Sequence, residues 1–199
     1  MRLIFFLAFS FLICTSLVAQ DSIEKQVVDF SLLNVDGRKV SLKDFPTAKG
    51  FIIVFTCNHC PFAKLYPKRL NELNNKYLTL DVPLIAISST DTFKYPEDTY
   101  DEMRSVAKKK KFRFPYLYDR NQSIAKNFKA DKTPHAFVIW KDNDGLWKVK
   151  YSGAVDDNGS EPNKVTESFV ANAVDDLLHG LPVRKAQTSS IGCKIYFRQ

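Results

Sequence analysis

Residues 51–56 read FIIVFT and run without a break into Cys57-Asn58-His59-Cys60. A continuous apolar run of this kind has no solvent face. It is the pattern of a central strand buried on both sides. LIAISS (84–89) repeats the pattern. HAFVIW (135–140) and WKVKYSG (147–153) flank Asn143-Asp144-Gly145 as a strand pair, and YLYD (116–119) reads as a short strand. FSLLNVDGRKVSL (30–42) carries two apolar-rich runs around Asp36-Gly37, the signal of a hairpin.

Helical spacing fills the gaps. Phe62, Leu65, Tyr66, Leu70, Leu73 and Tyr77 recur as one face of a helix that follows the cysteines, with a kink expected at Pro67. Pro96 and Glu97 open a second helix with Tyr100, Met103 and Val106 inward, and QSIAKNF (122–128) is a short third. A last helix is expected over 161–179, with Val165, Phe169, Ala173, Val174, Leu177 and Leu178 on one stripe and Gly180 as its stop. The tail 181–199 has no clear period until KIYF (194–197). Strands alternating with helices and closing on a hairpin and a helix make an α/β sandwich.

The N-terminus bears on the redox compartment. MRLIFFLAFSFLICTSLVAQ has one cation, Arg2, an apolar run and a small residue at Ala19, which is the build of a signal peptide over residues 1–19. Residues 20–199 then form a single domain, exported to the periplasm or secreted. Cleavage would leave Cys57, Cys60 and Cys193. An odd number is a poor structural framework and suggests one working pair with one thiol over. The net charge of +7 is spread along the chain, and Lys108–Lys111 reads as a solvated helix end, not a nucleic-acid patch.

Cys57 at a strand-to-helix junction would meet unpaired backbone N–H groups that favour a thiolate. Cys60, one turn later, can close a disulfide with it and resolve a mixed disulfide by internal attack. His59, when protonated, adds to the field that favours the thiolate. A structural disulfide or half a zinc site is the competing use of such a pair, but zinc wants four ligands, usually from two clusters.

Lys132-Thr133-Pro134 ahead of HAFVIW resembles the thioredoxin superfamily, in which a threonine–proline pair with a cis bond faces the Cys-x-x-Cys. Gly153-Ala154 resembles the small-residue loop lining that family's substrate groove. DGRKVSLKDF, CNHCPFAK, YPEDTYDEM, FPYLYD, TPHAFVI, YSGAVDDN and GCKIYF together are similar to peroxiredoxin-like proteins of the AhpC/TSA (redoxin) class, over roughly residues 27–199. The resemblance implies a thioredoxin-like three-layer α/β sandwich with a central mixed sheet and an N-terminal β-hairpin. It implies a thiol–disulfide oxidoreductase with Cys57 attacking and Cys60 resolving, and His59 tuning them. Thr133, Pro134, Gly153 and Ala154 would line the substrate groove, with no cofactor and no metal. Partners would be protein disulfides or dithiols and a membrane or periplasmic redox protein.

Two departures qualify the resemblance. A peroxide pocket of this class needs proline, threonine and arginine where this chain has Ile53, Cys57 and Pro134. The buried acid that a thioredoxin carries six residues before its first cysteine is Phe51 here. Two other readings stay open: a thiol peroxidase acting through Cys60, and a copper- or zinc-binding protein using the two thiols with His135. Cys193 is either a third redox thiol or a small hydrophobe packed by a short docking strand; the packing role is the expected one. Asp156-Asp157-Asn158 is expected to be a turn.

Overall fold

The computed structural model describes residues 25–198. The leader expected at 1–19 lies outside them. The strands are β1 (Gln26–Val27), β2 (Ser31–Asn34), β3 (Lys39–Ser41), β4 (Gly50–Phe55), β5 (Leu84–Ser88), β6 (Tyr116–Tyr118), β7 (Lys132–Thr133), β8 (His135–Lys141), β9 (Trp147–Gly153) and β10 (Cys193–Lys194). The helices are α1 (Pro67–Leu78), α2 (Tyr100–Lys109), α3 (Ser123–Phe128) and α4 (Phe169–Leu178).

The main sheet runs β1-β9-β8-β4-β5-β6-β2-β3. It is mixed: β4, β5 and β6 are parallel neighbours, whereas β8 and β9 pair antiparallel beyond β4. The expected N-terminal hairpin is β2–β3, turned at Gly37 with φ +89°. This is the thioredoxin-like three-layer sandwich expected from the sequence.

Why β4 sits at the centre follows from its two faces. Ile52 and Val54 pack against Leu70 and Tyr77 of α1, Met103 of α2 and Val170, Ala173 and Val174 of α4. Phe51, Ile53 and Phe55 face the other way, toward Ile124 and Phe128 of α3 and Ile195 of the tail. All five β4 side chains are fully buried. Burial of such side chains contributes roughly 1.5–3 kcal/mol each before entropy is counted.

Three helices differ from their expected bounds. α1 does not kink at Pro67; it starts there, after a 3₁₀ turn over Ala63–Leu65. Proline has no N–H to continue the ladder, so the chain restarts with Pro67 at the first helical position. The cysteines therefore lie in a turn ahead of α1, not at its N-terminus. Phe62 and Leu65 are exposed, while Tyr66, Leu70 and Tyr77 are buried. α2 likewise begins at Tyr100, behind a separate 3₁₀ turn at Pro96–Asp98.

The last helix is shorter than the expected 161–179. Only Pro162–Lys164 coils, as a 3₁₀ turn, and Val165 is extended with ψ 121°. Asp157 holds the intervening loop, accepting the Thr166 N–H at 3.0 Å while its own N–H donates to the Glu167 carbonyl at 3.0 Å. Those bonds compete with helical ones. The loop at 156–158 is a turn, as expected. Its buried Asp156 accepts two bonds from Arg69 Nη1, at 2.9 and 2.7 Å.

Candidate active site

β4 delivers the chain to Thr56, and the backbone then leaves the sheet through Cys57–Cys60. Cys57 is 5% exposed and is a free thiol; Cys60 is fully buried. Thr133, at the end of β7, meets both. Its hydroxyl lies 3.0 Å from Cys57 Sγ, and its carbonyl oxygen lies 3.2 Å from Cys60 Sγ. The Thr133–Pro134 peptide bond is cis.

The turn is tied to a segment distant in sequence. Asn58 Nδ2 donates to the Glu97 carbonyl at 2.8 Å, and Tyr116 Oη donates to Asn58 Oδ1 at 3.1 Å. The Asn58 N–H donates to one oxygen of the Asp98 carboxylate, and His59 Nδ1 meets the other. Asp98 is fully buried, and Tyr95 stacks flat on the His59 ring. Burial alone would push the imidazole down. The hydrogen bond to Asp98, with contacts to Cys57 and the Asp98 charge, outweighs it and raises His59 to about 9. His59 is thus a cation at neutral pH, held against Cys57.

Asp98 was not among the expected site residues. It supplies a buried acid beside Cys57 in a chain where Phe51 takes the place of a thioredoxin's acid. Its trace in the sequence is YPEDTY, where a proline-led acidic turn contains one carboxylate that the fold buries. Tyr95 comes from the same stretch.

Cys193 is not simply packed as a hydrophobe. It is joined to Cys60 as a disulfide, with Cα atoms 5.9 Å apart. That differs from the expected pairing of Cys57 with Cys60. The reason is the path of the tail. β10 pairs antiparallel with β7, setting Cys193 opposite Thr133, and the Cys193 N–H donates to Cys60 Sγ at 3.3 Å.

The residues expected to line a groove are brought together, and the tail covers them. Thr133 pairs with β10. Pro134 lies against Gly192, whose added Cβ would sit 3.2 Å from the proline nitrogen. Gly153 abuts Thr188, and the Ala154 N–H donates to Thr188 Oγ1 at 3.0 Å. His135 has both ring nitrogens engaged elsewhere, Nδ1 with Asp131 at 3.1 Å and Nε2 with Ser152 at 3.0 Å. Burial, with Asp131 opposing it, holds His135 below the usual histidine value. Among the described residues, one group has donor atoms close enough to hold a metal, all within 4.8 Å: Cys57, His59 and Asp98.

The chain as a whole is similar to known proteins. Residues 23–145 match the AhpC/TSA family. A relative from Bacillus thuringiensis subsp. konkukian, named thiol-disulfide oxidoreductase ResA, is 27% identical over 64% of this chain and 69% of its own. The crystal structure of an uncharacterized conserved protein from Geobacillus kaustophilus has a TM-score of 0.81 at 38% identity, covering 90% of this chain and 94% of the other. A hypothetical protein from Sinorhizobium meliloti 1021 superposes with a TM-score of 0.80 at 29% identity, covering 90% and 96%.

Proposed function

Because the chain belongs to the AhpC/TSA family, we propose that it is a thiol–disulfide oxidoreductase whose attacking group is Cys57. The observation that carries this reading is a free, nearly buried thiol with the His59 imidazolium beside it and the Thr133 hydroxyl 3.0 Å away. The His59 cation faces the sulfur of Cys57, and the thiolate is the species that attacks a disulfide. The name of the Bacillus relative supports the same class of reaction.

Cys57 opens exchange by attacking a protein disulfide, and Cys60 resolves the mixed disulfide by attacking the Cys57 sulfur. Thr133, Pro134, Gly153 and Ala154 form the surface on which the substrate backbone lies once the tail is displaced. The leader-like residues 1–19 support work outside the cytoplasm, with a membrane or periplasmic protein supplying or removing electrons. Insulin reduction by wild type, Cys57→Ser and Cys60→Ser tests the reading. Both variants should lose turnover, and Cys57→Ser should also lose the mixed disulfide with substrate. Full activity in Cys57→Ser would refute it.

The Cys60–Cys193 pairing favours a second reading, a thiol peroxidase acting through Cys60. Against it, Pro134 offers no side-chain donor in the place of the arginine, and Cys57 only a weak S–H in the place of the threonine. Stopped-flow oxidation by hydrogen peroxide separates the two, since a rate constant near about 10⁸ M⁻¹s⁻¹ would favour the peroxidase. The copper or zinc reading moves from His135 to Cys57, His59 and Asp98, and metal analysis after anaerobic purification tests it.

A further inference from the structure

We propose that Cys193 is a third working thiol, which resolves Cys60, and that the strand carrying it occupies the place where a peptide substrate would pair. This rests on the exchange reading given above.

The tail is seated by contacts along its length. The Thr188 N–H donates to the Ser152 carbonyl at 3.0 Å, and Lys132 Nζ donates to the Ser190 carbonyl at 2.9 Å. The Ile195 N–H donates to the Asp131 carbonyl at 2.8 Å, and the Ile195 side chain is buried in the core. Gln122 Nε2 donates to the Tyr196 carbonyl at 2.8 Å. Between these anchors the strand crosses the thiols at one register. Gly192 sets that register: a Cβ there would lie 2.1 Å from the Thr133 oxygen. A chain fixed on both sides of Cys193 presents its sulfur to Cys60. The Cα separation of 5.9 Å suits a disulfide without backbone movement.

The exchange sequence balances. The Cys57 thiolate attacks a peptide disulfide; a Cys57–substrate bond forms, the substrate S–S bond breaks and one substrate thiolate leaves to take up a proton. Cys60 gives up its proton and attacks the Cys57 sulfur, releasing the second substrate thiolate, which is protonated in turn. Cys193 then gives up its proton and attacks Cys60, and Cys57 leaves as a thiolate facing the His59 imidazolium. One peptide disulfide is reduced, and the two electrons come from the Cys60 and Cys193 thiols. β10 and an extended peptide both need the backbone of Thr133, so closing the Cys60–Cys193 bond also expels the product from the groove.

Peptide mapping tests this on the full-length reduced protein. It is oxidised with one equivalent of diamide, its free thiols are alkylated, and its linkages are identified by mass spectrometry. The Cys60–Cys193 peptide should exceed Cys57–Cys60 by about tenfold or more, with the alkyl group on Cys57. Gly192→Val, which unseats the strand, should reverse that ratio. Dominant Cys57–Cys60 in wild type, or an unchanged ratio in Gly192→Val, would overturn the proposal. In a second arm, reduced protein is mixed with insulin and quenched over time. Cys60–Cys193 should accumulate as fast as insulin is reduced. Accumulation about tenfold slower would make the bond a structural crosslink and refute its catalytic role. Diamide needs no protein substrate, so the mapping result stands apart from the insulin assay of exchange itself.

Discussion

His59 lies flat against Tyr95, with ring centroids 3.8 Å apart and planes within 7°. The stack fixes the imidazole so that Nδ1 meets the buried Asp98 carboxylate. A histidine held in this way is a charge of fixed position, not a mobile surface group. Much of what can be tested about the site follows from that charge.

His59→Asn should slow alkylation of Cys57 by iodoacetamide at pH 7 on the order of tenfold, because the cation beside the sulfur is gone. Stability should respond to pH with a definite sign. The folded value of about 9 lies above the ordinary 6.5. The contribution of His59 is therefore complete below about pH 6.5 and is lost as pH rises through about 9. Urea unfolding of wild type at pH 6, 7.5 and 9 should show a decline that His59→Asn lacks. Parallel curves for the two proteins would contradict this assignment.

Asp98→Asn keeps an acceptor for the Asn58 N–H but removes the charge facing His59. The imidazole titration, followed by NMR, should move back toward 6.5. Cys57 alkylation in this variant should fall with that of His59→Asn. The double variant should be no slower than the slower single one, since both act through one charge. Additive losses would show that Asp98 reaches Cys57 by another route.

Arg69 and Asp156 form a shielded ion pair 2.7 Å apart. Arg69 also donates to the carbonyls of Asn158 at 2.9 Å and Gly159 at 2.7 Å. Asp156→Ala would strand the guanidinium and should cost about 3–5 kcal/mol in urea unfolding. A loss below about 1 kcal/mol would mean that water replaces the carboxylate easily, as it does for exposed pairs.

Gly153→Ala probes the seat of the tail at a point away from the thiols. Its Cβ would lie 2.1 Å from Thr188 Oγ1 and 2.6 Å from the Thr188 carbonyl oxygen. The tail must shift there, at roughly 1–3 kcal/mol. Hydrogen exchange should show the Thr188 amide losing its protection, with β4 and β5 unchanged. Undiminished protection at Thr188 would mean that the loop absorbs the methyl group without moving the tail.

Local pattern determined a good part of this protein. The apolar run 51–55 is β4, Asp36-Gly37 is a hairpin turn, and the thiols follow the central strand while Thr133-Pro134 precedes β8. Each of these is a matter of side-chain period or of dihedral preference within a few residues, so the amino-acid order alone expresses it. The start of α1 at Pro67 is equally local, because the missing N–H of proline ends the apolar spacing that runs across Phe62 and Leu65. Other relationships belong to the tertiary structure. Asp98 becomes a site residue because the turn at 96–98 folds under the thiol turn, and no periodicity marks one carboxylate among Glu97, Asp98 and Asp101. Cys193 reaches Cys60 across a separation of 133 residues because β10 docks on β7. Which two of three thiols meet is a question of distance in space, and the sequence carries that only through the whole fold.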